Sequence, residues 1–219
     1  RYQKMTSTVL EDIIHHHNTG KQITEADMDV AAACGYLDVI KWLHENRTEG
    51  CTFRAMDYAA GNGHLDIVKW LHENRKEGCT EQAMNLAASY GHLDIIIYLH
   101  TNRTEGCTFR AMDYAATHGH FEIVKFLYEN RKEGCTVDAM NYANNNGHLD
   151  ILKFLCGHYK HLVTKVNEKV YEKLLPIIQE DFRSLFTRIE KENIVREFIA
   201  KKLVYHPSSS YIKRIVGRF

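Results

Sequence analysis

The sequence predicts an all-α fold: a solenoid of stacked helix–turn–helix repeats closed by a C-terminal helical cap. Three observations predict it. Gly35, Gly63, Gly91, Gly119 and Gly147 follow one another at intervals of 28 residues. Met28, Met56, Met84, Met112 and Met140 keep that interval, as do Thr24, Thr52, Thr80, Thr108 and Thr136, and Cys51, Cys79, Cys107 and Cys135. Within each interval lie two apolar faces of helical period, with a glycine between them. A repeat of that length is one supersecondary unit that cannot bury its own apolar faces, so neighbours must stack.

One unit reads CTFRAMDYAAGNGHLDIVKWLHENRKEG. Thr52 is a suitable N-cap, its hydroxyl able to accept from an unpaired N–H of the first turn. Ala55, Met56, Ala59 and Ala60 then recur at helical spacing, which predicts a helix near 53–61. Gly63 ends it, being the residue that tolerates a left-handed C′ position. A second helix near 65–73 buries Leu65, Ile67, Val68, Trp70 and Leu71 and turns Asp66, Lys69 and Glu73 to water. The loop NRKEGCT resets the chain with a glycine. Truncating a core position such as Leu93 is expected to cost stability, whereas truncating a surface position is not.

Residues 1–24 are expected to be a degenerate N-terminal capping repeat, 25–160 five units of the array, and 161–219 a helical cap. That cap carries Val170, Leu174, Ile177, Phe182, Leu185 and Ile189, and it ends in the short basic tail YIKRIVGRF at 211–219. A second period lies over the first. NRTEGCTFRAMDYAA stands at 46–60 and again at 102–116, so the array reads as a duplicated pair of repeats with a period of 56.

Composition narrows the function. Lys plus Arg and Asp plus Glu number 28 each, so no net field points to nucleic acid or an anionic membrane. No apolar run approaches the roughly 20 residues of a membrane-spanning helix. The chain opens on Arg1 and is expected to be an excerpt of a longer protein.

AMDYAAGNGHLDIVKWL resembles the ankyrin core pattern TPLHxAAxxGHxxIVxxLL in its AA pair, its GH pair and the spacing of its second helix. The resemblance holds in five units, over about residues 25–160. It departs where TPLH becomes RAMD, QAMN or DAMN, and in a unit of 28 rather than about 33 residues. The shortfall falls in the loop, so the projecting finger of ordinary ankyrins is expected to shrink to a tight turn. The resemblance implies a non-catalytic module that binds another protein on the concave face of the stack.

Chemistry-bearing residues fall mostly into the repeat columns. Equivalent cysteines in adjacent units should lie about 8–10 Å apart, beyond disulfide reach and too far for shared zinc. They are read as reduced loop residues of an intracellular protein, cytoplasmic or nuclear, with no metal and no cofactor. His64, His92, His120 and His148 are read as hydrogen-bonding at helix starts, because a catalytic centre needs one constellation rather than four copies. His44, His72 and His100 form a second column. The run His15–His17 could hold a metal adventitiously and is not adopted as a site. Trp42, Trp70, Tyr98, Phe126 and Phe154 are read as a packing ladder, with an exposed stripe as the alternative. Asp57, Asn85, Asp113 and Asn141 are expected to bond neighbouring backbone.

The informative positions vary while their surroundings are copied. By the ankyrin resemblance they belong to the concave face, and the expected partner-binding residues are Phe53, Asn62, Glu81, Ser89, Tyr90, Phe109, Thr117, His118, Asn145 and Asn146. No catalytic residue is nominated. The expected partner is another protein bound by a monomer, with no small-molecule substrate, no membrane and no nucleic acid. The alternative is an adaptor that recruits substrates, for example to a ubiquitin ligase, through a segment that is terminal or outside the excerpt.

Overall fold

The computed structural model describes residues 2–20 and 22–163, with the isolated positions 165, 166, 170 and 193. The basic tail and nearly all of the expected cap therefore lie outside the described residues. The described residues are helical, with no strand. The chain divides into two compact units, residues 1–135 and 136–219, each taken by itself.

In the first unit α1 (Tyr2–Asn18) precedes four helix pairs. These are α2 (Glu25–Cys34) with α3 (Leu37–Asn46), and α4 (Phe53–Gly61) with α5 (Leu65–Asn74). There follow α6 (Glu81–Tyr90) with α7 (Leu93–Asn102), and α8 (Phe109–His118) with α9 (Phe121–Asn130). The second unit holds α10 (Val137–Asn145), α11 (Leu149–His158) and the short α12 (Lys160–Val163). The expected helices near 53–61 and 65–73 are thus present, and extended residues around Arg75 link units without a hairpin.

Local chemistry sets the ends of each helix. The Thr52 hydroxyl accepts the Arg54 N–H at 3.1 Å, and Thr80 and Thr108 repeat the cap on Gln82 and Arg110. Gly63 stops the first helix with φ +83°, and His64 N–H returns to the Ala59 carbonyl at 2.9 Å. In the first unit the second helices end on an asparagine whose amide donates back one turn, as Asn74 does to the Trp70 carbonyl at 2.9 Å.

Packing follows from side-chain size. Ala59, Ala60, Ala87, Ala88, Ala115 and Ala116 are fully buried, and such small residues let the first helices α2, α4, α6 and α8 approach closely. These helices contact one another far more extensively than α5 contacts α7, and a stack packed tighter on one layer curves toward that layer. Larger side chains, Met56, Met84 and Met112 with Ile67, Val68 and Leu71, fill the space between layers. Fully burying one such Val, Leu, Ile or Met contributes about 1.5–3 kcal/mol. Leu93 corrects the sequence reading: it is half-buried at the start of α7, where a second helix first meets solvent. The core of that helix is Ile95, Ile96 and Leu99.

Candidate functional site

Most repeated polar columns turn out to join one repeat to the next. Thr52 donates its N–H and its hydroxyl to the two carboxylate oxygens of Asp29, at 2.8 and 2.6 Å. Thr80 does the same to Asp57 at the same distances, and Thr108 donates its N–H to Asn85 Oδ1 at 3.1 Å. For Asp57 and Asn85 the expected bonding to neighbouring backbone is present, and it reaches across 23 residues to the following unit. His64 differs from expectation. It makes no cap bond to its own helix; its Nε2 meets the Ala33 carbonyl of the preceding unit at 3.2 Å. His120 likewise reaches the Ser89 carbonyl at 3.1 Å. The ring fills the space left by the missing side chain of the preceding glycine, since a Cβ on Gly35 would lie 2.7 Å from His64 Cε1.

A second ladder runs along the loops. Arg75 pairs with Glu77, and its Nη1 contacts His44 Nδ1 of the preceding unit at 3.2 Å. Arg103 pairs with Glu105 and reaches His72 at 3.3 Å, while Arg47 pairs with Glu49 and reaches His17 at 3.3 Å. The same histidines stand edge-on to the aromatic column, His44 to Trp70 at 5.2 Å and His72 to Tyr98 at 5.9 Å. That column is half-buried packing. α1 thereby contributes His17 to the ladder, edge-on to Trp42 at 5.3 Å, as a second helix would.

The loop carboxyls and thiols take their character from this setting. Loss of water alone raises the pKa of Glu77, Glu105 and Glu133. The hydrogen bonds from Arg75, Arg103 and Arg131 and from backbone outweigh it, so each carboxyl is held below its ordinary range. Burial pushes the Cys51 and Cys107 thiols up to about 11 and the Cys79 and Cys156 thiols up to about 12. A thiol that stays protonated is neither a nucleophile nor a ready metal ligand.

What remains uncommitted is the outward face of the first helices. Phe53 and Phe109 are each 44% exposed and Tyr90 is 63% exposed. Asn62, Glu81 and His118 are exposed too, and Ser89 and Thr117 are half-buried. Four of these side chains are also occupied within the fold, Ser89 by its Oγ standing 3.5 Å from His118 Nδ1. Asn62 donates to the Ala33 carbonyl at 2.8 Å, Thr117 to the Asp113 carbonyl at 2.7 Å, and His118 Nδ1 lies 3.0 Å from the Tyr114 carbonyl. Asn145 and Asn146 are exposed at the end of α10 in the second unit.

This fold and these columns have a known counterpart. A family model of ankyrin repeats in three copies matches residues 56–141, and one of ankyrin repeats in many copies matches residues 28–72. The chain belongs to the ankyrin-repeat family. Comparison with the curated proteins found no match. Ankyrin repeats are generally protein–protein interaction modules. In this ankyrin array Asp57 stands where the family pattern has its TPLH histidine, and it ties one unit to the next.

The sequence reading missed part of the ankyrin face. Tyr58 is 45% exposed, Tyr114 37% and Val30 60%, and Leu86 is half-buried in the same column. These residues lie four positions before Asn62, His118, Cys34 and Tyr90, so on a helix they share their face. Spacing of four from the varying positions would have found them. Their place inside the AMDYAA segment made them look like core. Conversely Gly61, one of the varying positions, is buried: a Cβ there would lie 3.0 Å from Leu86 Cβ.

Proposed function

We propose that the chain is a non-catalytic protein-binding module whose partner docks on the outward face of the first helices, the concave side of the stack. The observation that carries this reading is that consecutive first helices expose large aromatic side chains on one face, Tyr58, Tyr90 and Tyr114, and that α4 and α8 expose a further one at their N-terminal ends, Phe53 and Phe109. Aromatics offer wide contact area with few rotamers to lose, and they are enriched at interfaces. The other side chains rich in hydrogen bonds are committed to repeat junctions, and loss of water keeps the Cys51 and Cys79 thiols protonated.

Site-directed photocrosslinking tests the reading. A photoreactive residue at position 90 should trap a partner polypeptide in cells, and one at position 69 on α5 should not. Against the trapped partner, Tyr90→Ala should weaken binding by about 2 kcal/mol or more while the array stays folded. Equal trapping at both positions, or unchanged affinity on truncating Tyr58, Tyr90 and Tyr114 together, would place the interface elsewhere.

A further inference from the structure

We propose that Phe53–Arg54–Tyr58 and Phe109–Arg110–Tyr114 are two equivalent docking sites, each for a short peptide segment that carries a carboxylate beside a large apolar side chain. The proposal rests on the first-helix face being the partner-binding surface, and it names the chemistry and the number of the ligands.

The two sites are copies in sequence and in structure. NRTEGCTFRAMDYAA runs through both, at 46–60 and 102–116. Thr52 caps α4 on the Arg54 N–H at 3.1 Å and Thr108 caps α8 on the Arg110 N–H at 3.3 Å. Phe53 and Phe109 are equally exposed, and in each copy the tyrosine five residues on, Tyr58 or Tyr114, is exposed too.

Arginine pairing sets these positions apart. The arginines that recur in every loop, Arg47, Arg75, Arg103 and Arg131, each pair with the glutamate two residues on. Arg54 and Arg110 are exposed and take part in no ion pair among the described residues. A guanidinium outside any ion pair presents a planar fork that matches a carboxylate. Arg54 Cζ lies 5.9 Å from the Phe53 ring centroid, and Tyr58 and Tyr114 follow the two arginines by one helical turn; one guanidinium in such company suits a single negative charge beside an apolar group better than a dianionic phosphate.

The helix between the copies has different chemistry. Where they have Phe, Arg and Tyr, α6 has Glu81, Gln82 and the half-buried Leu86, so it repels a carboxylate. α4 and α8 both pack on α6. At about 8–10 Å per packed helix pair, the two arginines stand about 16–20 Å apart. That separation is too long for one carboxylate to bridge, so each site takes its own ligand.

A displayed library of random 12-residue peptides, selected on the full chain, supplies the probes. Selected peptides should be enriched in Asp or Glu next to Phe, Leu, Trp or Met. Calorimetry should find two peptides per chain at one affinity. Arg54→Glu or Arg110→Glu alone should leave one peptide per chain, the double variant none, and Lys69→Glu on α5 both. Circular dichroism checks that each variant is folded, and Arg54→Ala with Arg110→Ala serves if the reversals unfold. Failure to select acidic–apolar peptides would overturn the proposal, as would one peptide per chain lost to either single change. If the double variant binds normally while loss of Tyr58, Tyr90 and Tyr114 abolishes binding, the face still binds partners and only the two-site inference falls. If neither set of changes matters, both readings fall.

Discussion

The repeat junctions and the outward face of the first helices belong to the same helices and follow opposite rules. At the junctions a residue is repeated because its partner is repeated. Thr80 needs Asp57, His92 needs Gly63, and Arg103 needs His72. On the outward face Arg54, Gln82 and Arg110 occupy one exposed column, and among the described residues none of them is tied to a neighbouring repeat by an ion pair. Recurrence in this molecule therefore marks structure, and departure from recurrence marks mostly solvent-facing positions, the buried Gly61 excepted.

The largest break in that comparison comes from the core. Ile95→Ala, at a position with no exposure, should cost about 2–5 kcal/mol, read from the urea midpoint. Leu93→Ala, half-buried in the same helix, should cost clearly less. Equal losses would mean that the two layers do not pack as described.

Gly91→Ala comes next. Its φ of +88° is strained for any side chain, and the new Cβ would lie 2.7 Å from His120 Cε1. The conformation alone costs about 1–2 kcal/mol, and displacing the ring adds to it. Gly20→Ala has the strain, φ +71°, without a neighbour within 4 Å, so the difference between the two variants isolates the histidine contact. No difference would remove the glycine–histidine fit from the account of the junction.

The loop ladder should show itself in acid. The folded pKa values of Glu77, Glu105 and Glu133 lie below the ordinary 4.5. Their contribution is therefore complete above 4.5 and is lost as pH falls through the lowered values. These pairs are partly exposed, so each is worth about 0.2–1 kcal/mol. Glu77→Gln should lose a little stability at neutral pH and converge on the parent in acid; a constant offset at all pH values would show that the ion pair is not the cause.

The smallest effect sharpens the comparison most. Burial pushes the Asp57 carboxyl above its ordinary value, against the hydrogen bonds it accepts from Thr80. A raised folded pKa favours the fold at low pH, and that advantage is lost as pH rises through the folded value. Asp57→Asn copies the Asn85 arrangement, in which Oδ1 accepts the Thr108 N–H and Nδ2 donates to its hydroxyl at 3.1 Å. Its stability should lie within about 1 kcal/mol of the parent and gain on it from acid to neutral pH. A large loss at neutral pH would mean that the two short bonds of the charged form outweigh its desolvation.

The repeat, the helix pairs and the absence of a loop hairpin could be read from Thr52, Gly63 and the spacing of Ala and Ile. Capping, the left-handed glycine and helical periodicity are properties of a few adjacent residues, and the sequence alone determines them. Exposure of Phe53, Tyr90 and Phe109 was legible as well, because those positions vary against a copied background. The cross-repeat partners were decided by tertiary structure. His64 looked like a residue serving its own helix start, and only stacking brings its ring to Ala33 and Gly35, about thirty residues back. Tyr58 and Gly61 carried the opposite lesson. A tyrosine inside a run of core alanines faces solvent, and a glycine among variable positions is covered by Leu86. Which side of a helix is covered depends on how closely the next one approaches, and that distance is set by the packed alanines of both helices together.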